Sequence, residues 1–360
     1  MFGRRKVITE YTEVNIGNVI KVLEDVMDTH LANSSDINYL YNYYKGNQPI
    51  LGRTKTINEW INNKIVINRA NEIVTFKSSY LMGEPVQYVN RSEEENNTPY
   101  LNALNDYMFV EDKSAKDKAL AEWFYICGVA YRMVFPAENY EKDSIANESP
   151  FNIFTLDPRN TFVIHTNDMA ETPIAGVKYI THKNGTREYS IYSPTEYFRI
   201  KGRKGIEHKK HFCGGVPIIE YKANTSMLGA FEVVLPLLDA MNTLASNRLD
   251  GIEQFVQALM VLKGVDISAE DFQALKELGG IKVPVDGDIK YLVQELNQSQ
   301  TQTLMDDMYD TVLTICGMPN RNGGSSTSDT GTAVIYRDGW SNAESRAKES
   351  EQMFKASEKE

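Results

Sequence analysis

Residues 236–262 read PLLDAMNTLASNRLDGIEQFVQALMVL, the longest periodic run in the 360-residue chain. Leu237, Met241, Leu244, Leu249, Ile252, Phe255, Val256 and Leu259 recur every three to four positions, the spacing of one face of an α-helix. Asn242, Asn247, Asp250, Glu253 and Gln257 fall on the opposite face, so the pattern predicts a helix with one packed side and one solvated side. About 27 residues at roughly 1.5 Å each give a rod of about 40 Å. Pro236 fits the first turn, where no N–H is needed, or marks a kink if the helix starts near Phe231.

Towards the C-terminus, Val265 to Leu296 reads as a compact insertion. It contains a short helix near Ala269 to Leu278, a break at Gly279-Gly280, and strands around Ile281 to Val283 and Ile289 to Val293. A second helix is expected from about Thr301 to Cys316, with Leu304, Met308, Val312 and Ile315 on one side and Asp306, Asp307 and Asp310 towards another. Gly317-Met318-Pro319 stops it. Asn320 to Gly331 holds almost nothing that can be buried and reads as a polar loop, and a charged helix is expected from about Thr332 onwards.

Towards the N-terminus, the character changes at Gly214-Gly215-Val216-Pro217. Asn152 to Ile200 is richest in β-formers, broken by Asp157-Pro158, Asn184-Gly185 and Ser193-Pro194, and predicts an antiparallel sheet. Asn184-Gly185 is the strongest hairpin signal, both residues tolerating the positive φ of a type I′ turn. Gly128 to Phe135 alternates as a strand does, Leu101 to Phe124 reads helical, and a strand is expected from Val86. Earlier still, a helix is expected from Asn15 to Thr29, a second from Ile37 to Tyr44, and a third leading from Asn63–Ala70 through Ile73, Val74 and Phe76 to a stop at Gly83 and Pro85. Strands in one block and helices around it place the chain in the α+β class.

Composition narrows the function classes. A hydrophobic fraction of 42% and a charged fraction of 24% are ordinary for a globular protein. The formal net charge of -11 argues against a monomer that grips nucleic acid by broad phosphate neutralisation, yet it suits a wall that DNA slides past. Cys127, Cys213 and Cys316 form no C-x-x-C pair, which favours a reducing compartment over a disulfide scaffold. The basic start is followed by no long apolar segment, and the longest apolar run, Phe255 to Leu262, is too short to span a bilayer. The expectation is a soluble, non-secreted protein.

No constellation of residues spells out an enzyme. The Gly-rich stretch Asn322 to Gly331 lacks a Gly-Lys-Ser/Thr ending and follows a helix rather than a strand, so it is not read as a phosphate loop. His208, His211 and Cys213 have no second ligand pair at zinc spacing, and no metal or cofactor is expected. Cys127 reads as a small buried residue. Asp306, Asp307 and Asp310 read as a solvated acidic surface rather than a Mg²⁺ site. Lys276, Lys282 and Lys290 in the insertion are either surface lysines or contacts for DNA phosphates. There is no G-x-S-x-G elbow and no H-E-x-x-H pair.

Four stretches, in order, resemble the portal (head-to-tail connector) family of tailed bacteriophages, in the branch found in long-tailed phages of Gram-positive hosts. They are Tyr43-Tyr44-Lys45-Gly46 with Asn63 to Asn68; Tyr80-Leu81-Met82-Gly83-Glu84-Pro85-Val86; Gly128-Val129-Ala130-Tyr131 with Leu156-Asp157-Pro158; and Gly215-Val216-Pro217-Ile218-Ile219 leading to Leu238-Asp239-Ala240-Met241-Asn242. The resemblance implies a non-enzymatic ring, usually of about twelve subunits, around a central tunnel. It implies a portal fold in which residues 1–228 form an α/β wing, 229–263 a stem helix, 264–297 an α/β clip, 298–317 a second stem helix, 318–331 a tunnel loop and 332–360 a wing helix.

On the same resemblance, Asn320, Arg321, Asn322, Ser325, Ser326, Thr327 and Ser328 face DNA, and Lys276, Lys282, Asp286, Asp288 and Lys290 lie on the clip that docks motor and adaptor. Implied partners are other copies of the chain, double-stranded DNA passing without sequence specificity, the large terminase subunit, major capsid and scaffold proteins, and a head-tail adaptor, with no membrane. The implied location is the capsid portal vertex of the virion, and the host cytoplasm during assembly. The last helix stops with no crown-like helical region after it, which leaves a minimal crown or a shortened chain as the two expectations. Two other readings compete: a smaller head-completion or tail-adaptor ring protein, generally built from shorter chains, and a DNA-processing enzyme, which should show a phosphate loop or a clustered carboxylate site.

Overall fold

The computed structural model describes residues 3–56, 59–90, 98–137, 149–202, 205–256, 259–263, 288–292, 298–320 and 339–360, with side chains left out from 254 to 298. The chain divides into two compact units. The first comprises Met1–Gln48, Asn68–Leu238 and Asp310–Glu360, and the second Pro49–Ile67 and Asp239–Tyr309.

Two sheets organise the first unit. A three-stranded antiparallel sheet has β2 (Val129–Pro136) between β3 (Phe151–Leu156) and β9 (Ile218–Lys222). A six-stranded sheet runs β1 (Ile8–Thr9), β4 (Thr161–Thr166), β5 (Pro173–Thr181), β6 (Arg187–Tyr192), β7 (Glu196–Lys201) and β8 (Ile206–Lys210) in that order. It is antiparallel except for the short parallel pair β1–β4. The expected β block is therefore present, split between two sheets. Every residue of β4 is buried, as befits a strand covered on both faces.

The hairpin at Asn184-Gly185 joins β5 to β6, but not through a type I′ turn. Gly185 has φ +79° and its N–H bonds to His182 O at 2.9 Å, while Asn184 is not at positive φ; its side chain instead accepts from Thr186 N at 3.1 Å. A turn over 182–185 with one left-handed Gly at its end thus replaces the two-residue loop.

Among the described residues five α-helices lie wholly in this unit, and two more begin or end in it. α1 (Val19–Tyr44) is one continuous helix where two were expected. Asn33 and Ser34, between the two expected helices, are used up in tertiary bonds: Asn33 holds Arg5 N and Arg5 O at 2.9 and 2.7 Å, and Ser34 Oγ donates to Arg159 O at 2.6 Å. With those side chains occupied, they no longer compete with the helical backbone.

α2 (Arg69–Leu81) is capped by Asn68, whose side chain accepts from Asn71 N. The expected Leu101–Phe124 helix is two, α3 (Thr98–Val110) and α4 (Lys113–Cys127), separated at Asp112 with φ +49°. Gly128, at φ +77°, ends α4 and turns the chain into β2; a Cβ there would meet Met227 O at 2.1 Å, so only glycine fits. The strand expected from Val86 does not form. The backbone of Tyr88 bonds instead to the Asn105 side chain of α3, through both its N–H (3.2 Å) and its C=O (3.0 Å).

The C-terminal helix α7 (Trp340–Glu358) is fastened to this unit by a buried ion cluster. Lys113 bonds Asp117 at 2.7 Å and Glu358 at 2.9 Å; Arg132 bonds Glu358 at 3.1 Å and also Asp117. Tyr221 donates its hydroxyl to Glu358 at 2.7 Å, and Tyr88 does the same. Two cations and two anions cancel, which is the condition under which a buried cluster is tolerated.

In the second unit, α5 (Leu235–Val256) enters from Asp239 onward, and α6 (Gln298–Cys316) contributes up to Tyr309. The helix expected to reach Leu262 ends at Val256. Leu259–Lys263 is instead strand β10, paired antiparallel with β11 (Asp288–Leu292) from Leu259 opposite Leu292 to Lys263 opposite Asp288. A short apolar run is ambiguous between helix and strand by periodicity alone, and the non-local partner decides it. β11 falls where the strand at Ile289–Val293 was expected; the expected helix at Ala269–Leu278 and strand at Ile281–Val283 lie outside the described residues.

Candidate functional site

The face of α5 read as solvated is divided: Asn247 is exposed as expected, but Asn242 and Asp250 are buried. Asn242 and Ser246 are fully buried and Asp250 is 2% exposed, while the apolar Ile252 is 42% exposed. Positions 242, 246 and 250 form one stripe along the helix, with about 6 Å between successive members. Asn242 accepts the N–H of Ile67 at 2.8 Å, Ser246 that of Ile65 at 3.0 Å, and Asp250 that of Asn63 at 2.8 Å. Alternate residues of an extended chain are about 6.6 Å apart, so the two spacings nearly match. The helix stripe therefore serves segment 63–67 as a neighbouring strand would, running antiparallel to it.

The lower end of this ladder is charged. Asp250 also accepts from Asn63 Nδ2 at 2.9 Å and pairs with Arg53 at 3.1 Å and with Lys55. Burial pushes its carboxyl upward, but the bonds from Lys55 and Asn63 outweigh burial and hold it below its ordinary value. The cations are themselves fixed: Arg53 donates to Asn63 O at 3.2 Å and Lys55 to Ile61 O at 3.0 Å. Lys64 closes the loop by donating to Leu51 O at 2.9 Å.

Polarity alone does not say whether water or a backbone takes up a polar face, which is why Ser246 was not singled out and Asn242 and Asp250 were placed in solvent. The usable signal was chemical. Three short acceptors at spacing four differ from the Lys and Glu of an ordinary wet face.

α6 carries Asp306 and Asp307, both exposed as expected. Gln302 accepts from Arg248 of α5 at 2.6 Å and donates to Asp306 at 2.7 Å. The apolar side expected of this helix is divided: Val312 is buried, whereas Leu304 and Ile315 are 45% and 46% exposed. Gly317, at φ +63°, ends the helix, and Met318 N returns to Leu313 O at 2.8 Å. Just beyond, Asn320 donates to Asp310 at 2.9 Å. Arg321, Asn322, Ser325, Ser326, Thr327 and Ser328 lie outside the described residues, as do Lys276, Lys282 and Asp286. Asp288 and Lys290 are placed by the backbone of β11, opposite Lys263 and Val261.

The residues weighed for chemistry are otherwise occupied. His208 bonds Glu196 at 3.0 Å and stacks on Phe198; His211 packs against Phe135 and Tyr192. Cys127 is fully buried, its thiol pushed up to about 12 by burial. Among the described residues no group of three or more His, Cys, Asp or Glu is placed to hold a metal ion. No helix among them is long and apolar enough to cross a membrane. What the arrangement provides is attachment: a long helix whose polar stripe binds an extended segment along its length.

The family described as phage portal protein, SPP1 Gp6-like, matches residues 23–360. The chain belongs to the phage portal protein family. The match takes in β2 to β11, α2 to α7 and all but the first turn of α1, and leaves out only the first 22 residues, which hold β1. The portal protein of Bacillus phage SPP1 is 23% identical over 313 residues, which cover 79% of this chain and 58% of that protein, so the chain spans little more than half the length of this portal relative. Similarity also extends to solved structures. A chain of the native gene transfer agent virion aligns with a TM-score of 0.46 at 12% identity over 84% of this chain and 76% of its own. A chain from the neck of an empty gene transfer agent particle gives the same score and identity over 80% and 78%.

Proposed function

We propose that this chain is the subunit of a ring-shaped channel through which double-stranded DNA enters and leaves a phage capsid, and that it acts without catalysing a reaction. The observation that carries the reading is the portal family match over residues 23–360. On this reading residues 1–228 and 332–360 form the wing, 229–263 and 298–317 the stem, 264–297 the clip and 318–331 the tunnel loop. The ring has about twelve subunits, a number set by the angle between neighbours rather than by the fold. Its phage belongs to the long-tailed branch infecting Gram-positive hosts, and its place is the capsid vertex.

Asn320, Arg321, Asn322 and Ser325 to Ser328 then meet DNA with short polar side chains, which touch a phosphate backbone of any sequence without deep binding minima. The net charge of -11 supports passage over storage. Lys276, Lys282, Asp286, Asp288 and Lys290 present the clip to the terminase motor and later to an adaptor, while capsid and scaffold proteins surround the wing. The ladder on α5 supports the stem assignment, because it stiffens a long helix with fixed side-chain bonds.

Light scattering and end-on negative-stain averages of the purified chain test the proposal. The expected result is a closed ring with a central hole of roughly 20 Å or more, wide enough for a duplex. A monomer or open dimer across buffers overturns it.

A further inference from the structure

We propose that the surface around Trp60 receives the α6 surface around Leu304 of a second copy of this chain, head to tail. This rests on the ring reading and names the contact that reading leaves open. Among the described residues the second unit exposes four large apolar side chains: Trp60 (77%), Leu304 (45%), Leu51 and Ile252 (both 42%). Trp60 has nothing but solvent over most of its ring, and tryptophan is the residue type most enriched where interfaces hold.

The two surfaces lie on opposite sides of α5. The 63–67 segment is bound to the stripe that ends at Asp250, and α6 is bound through Arg248, two residues away. At 3.6 residues per turn these positions point roughly 160° apart. A ring requires two different patches on opposite flanks of each subunit, so that one patch of a copy meets the other patch of the next.

Their charges are complementary. Segment 49–67 holds Arg53, Lys55 and Lys64 against Glu59 alone, and α6 holds Asp306, Asp307 and Asp310 with no cation. Asp250 neutralises part of the first set, and the Lys64 side chain remains exposed. A duplex does not fit the α6 face, because its phosphates meet only carboxylates there. A second copy supplies both the apolar and the cationic complement.

The test is a W60C/L304C double variant in a Cys213→Ser background, oxidised and run under denaturing conditions; Cys127 and Cys316 are buried. The expected result is a ladder of covalent multimers that neither single variant gives. A ring seen by light scattering but no ladder overturns the contact while leaving the ring intact, and a monomeric unmodified chain overturns both. A second variant guards against misfolding: D306K/D307K alters only exposed positions and, with its circular dichroism unchanged, raises the half-assembly concentration about tenfold. Adding K64E restores most of that loss. An unaltered half-assembly concentration in D306K/D307K overturns the proposal.

Discussion

His30 and Asp250 both resist protonation, for different reasons and in different pH windows. His30 is 1% exposed, stacked on Phe162 at 4.1 Å and within 3.2 Å of the Tyr179 hydroxyl; burial, with Arg187 nearby, lowers its pKa to about 4. An unfolded histidine titrates near 6.5, so the unfolded chain binds a proton first as pH falls. The neutral ring therefore contributes its full share of stability above about pH 6.5, and that share is lost progressively down to about pH 4. His165, also lowered by burial, acts in the same direction below about pH 6.5. Asp250 acts lower down: its contribution is present above the unfolded value near 3.9 and is lost as pH falls through its depressed native value. Urea midpoints between pH 8 and 3 check this. His30→Gln is expected to flatten the slope between 6.5 and 4. Asp250→Asn is expected to cost about 3 kcal/mol at pH 7, because Arg53 and Lys55 lose their counter-charge, with the gap to the unmodified chain narrowing below about pH 4.

Helices in this protein twice take the part of a strand. Asn242, Ser246 and Asp250 bind alternate N–H groups of 63–67, and Asn105 binds both backbone groups of Tyr88. In each case side chains of a helix satisfy backbone groups of an extended segment beside it. The same economy fastens α7: Glu358 gathers Arg132, Lys113, Tyr221 and Tyr88 near its last turn. Burial opposes its charge, and the two cations hold its carboxyl below the usual range nonetheless. Glu358→Gln leaves Arg132 and Lys113 sharing Asp117 alone. The expected cost is about 3 kcal/mol, with faster amide exchange confined to 340–358, while Asn342→Ala on the exposed face leaves exchange there unchanged.

Across the whole molecule, elements set by local pattern were legible in the sequence and elements set by distant partners were not. The β2 strand, the α2 stop and the glycine before β2 follow from short-range signals, and so does the position of the β5–β6 hairpin. The end of α5 at Val256, the unbroken α1 and the burial of Asn242 and Asp250 depend on groups far along the chain, such as Arg5, 28 residues from Asn33, and Asn63, 187 residues from Asp250. One consequence belongs to the assembly alone. In the proposed ring each copy carries a net charge of -11, so neighbouring subunits repel over distances far longer than any contact between them. At 10 mM salt the screening length is about 30 Å and repulsion spans whole subunits; at 0.15 M it is about 8 Å, and only charges at the interface still interact. Ring yield is therefore expected to rise between these salt concentrations. Towards 1 M the length falls to about 3 Å and the complementary pairs between segment 49–67 and α6 are weakened as well, so yield falls again. Sedimentation across this series should show a maximum in the unmodified chain. Asp306→Asn with Asp307→Asn removes two of the three attractive carboxylates and leaves most of the repulsion, the net charge going only from -11 to -9, so its yield should start lower and show a smaller fall at high salt; a monotonic rise in the unmodified chain would mean that apolar contact alone holds the ring.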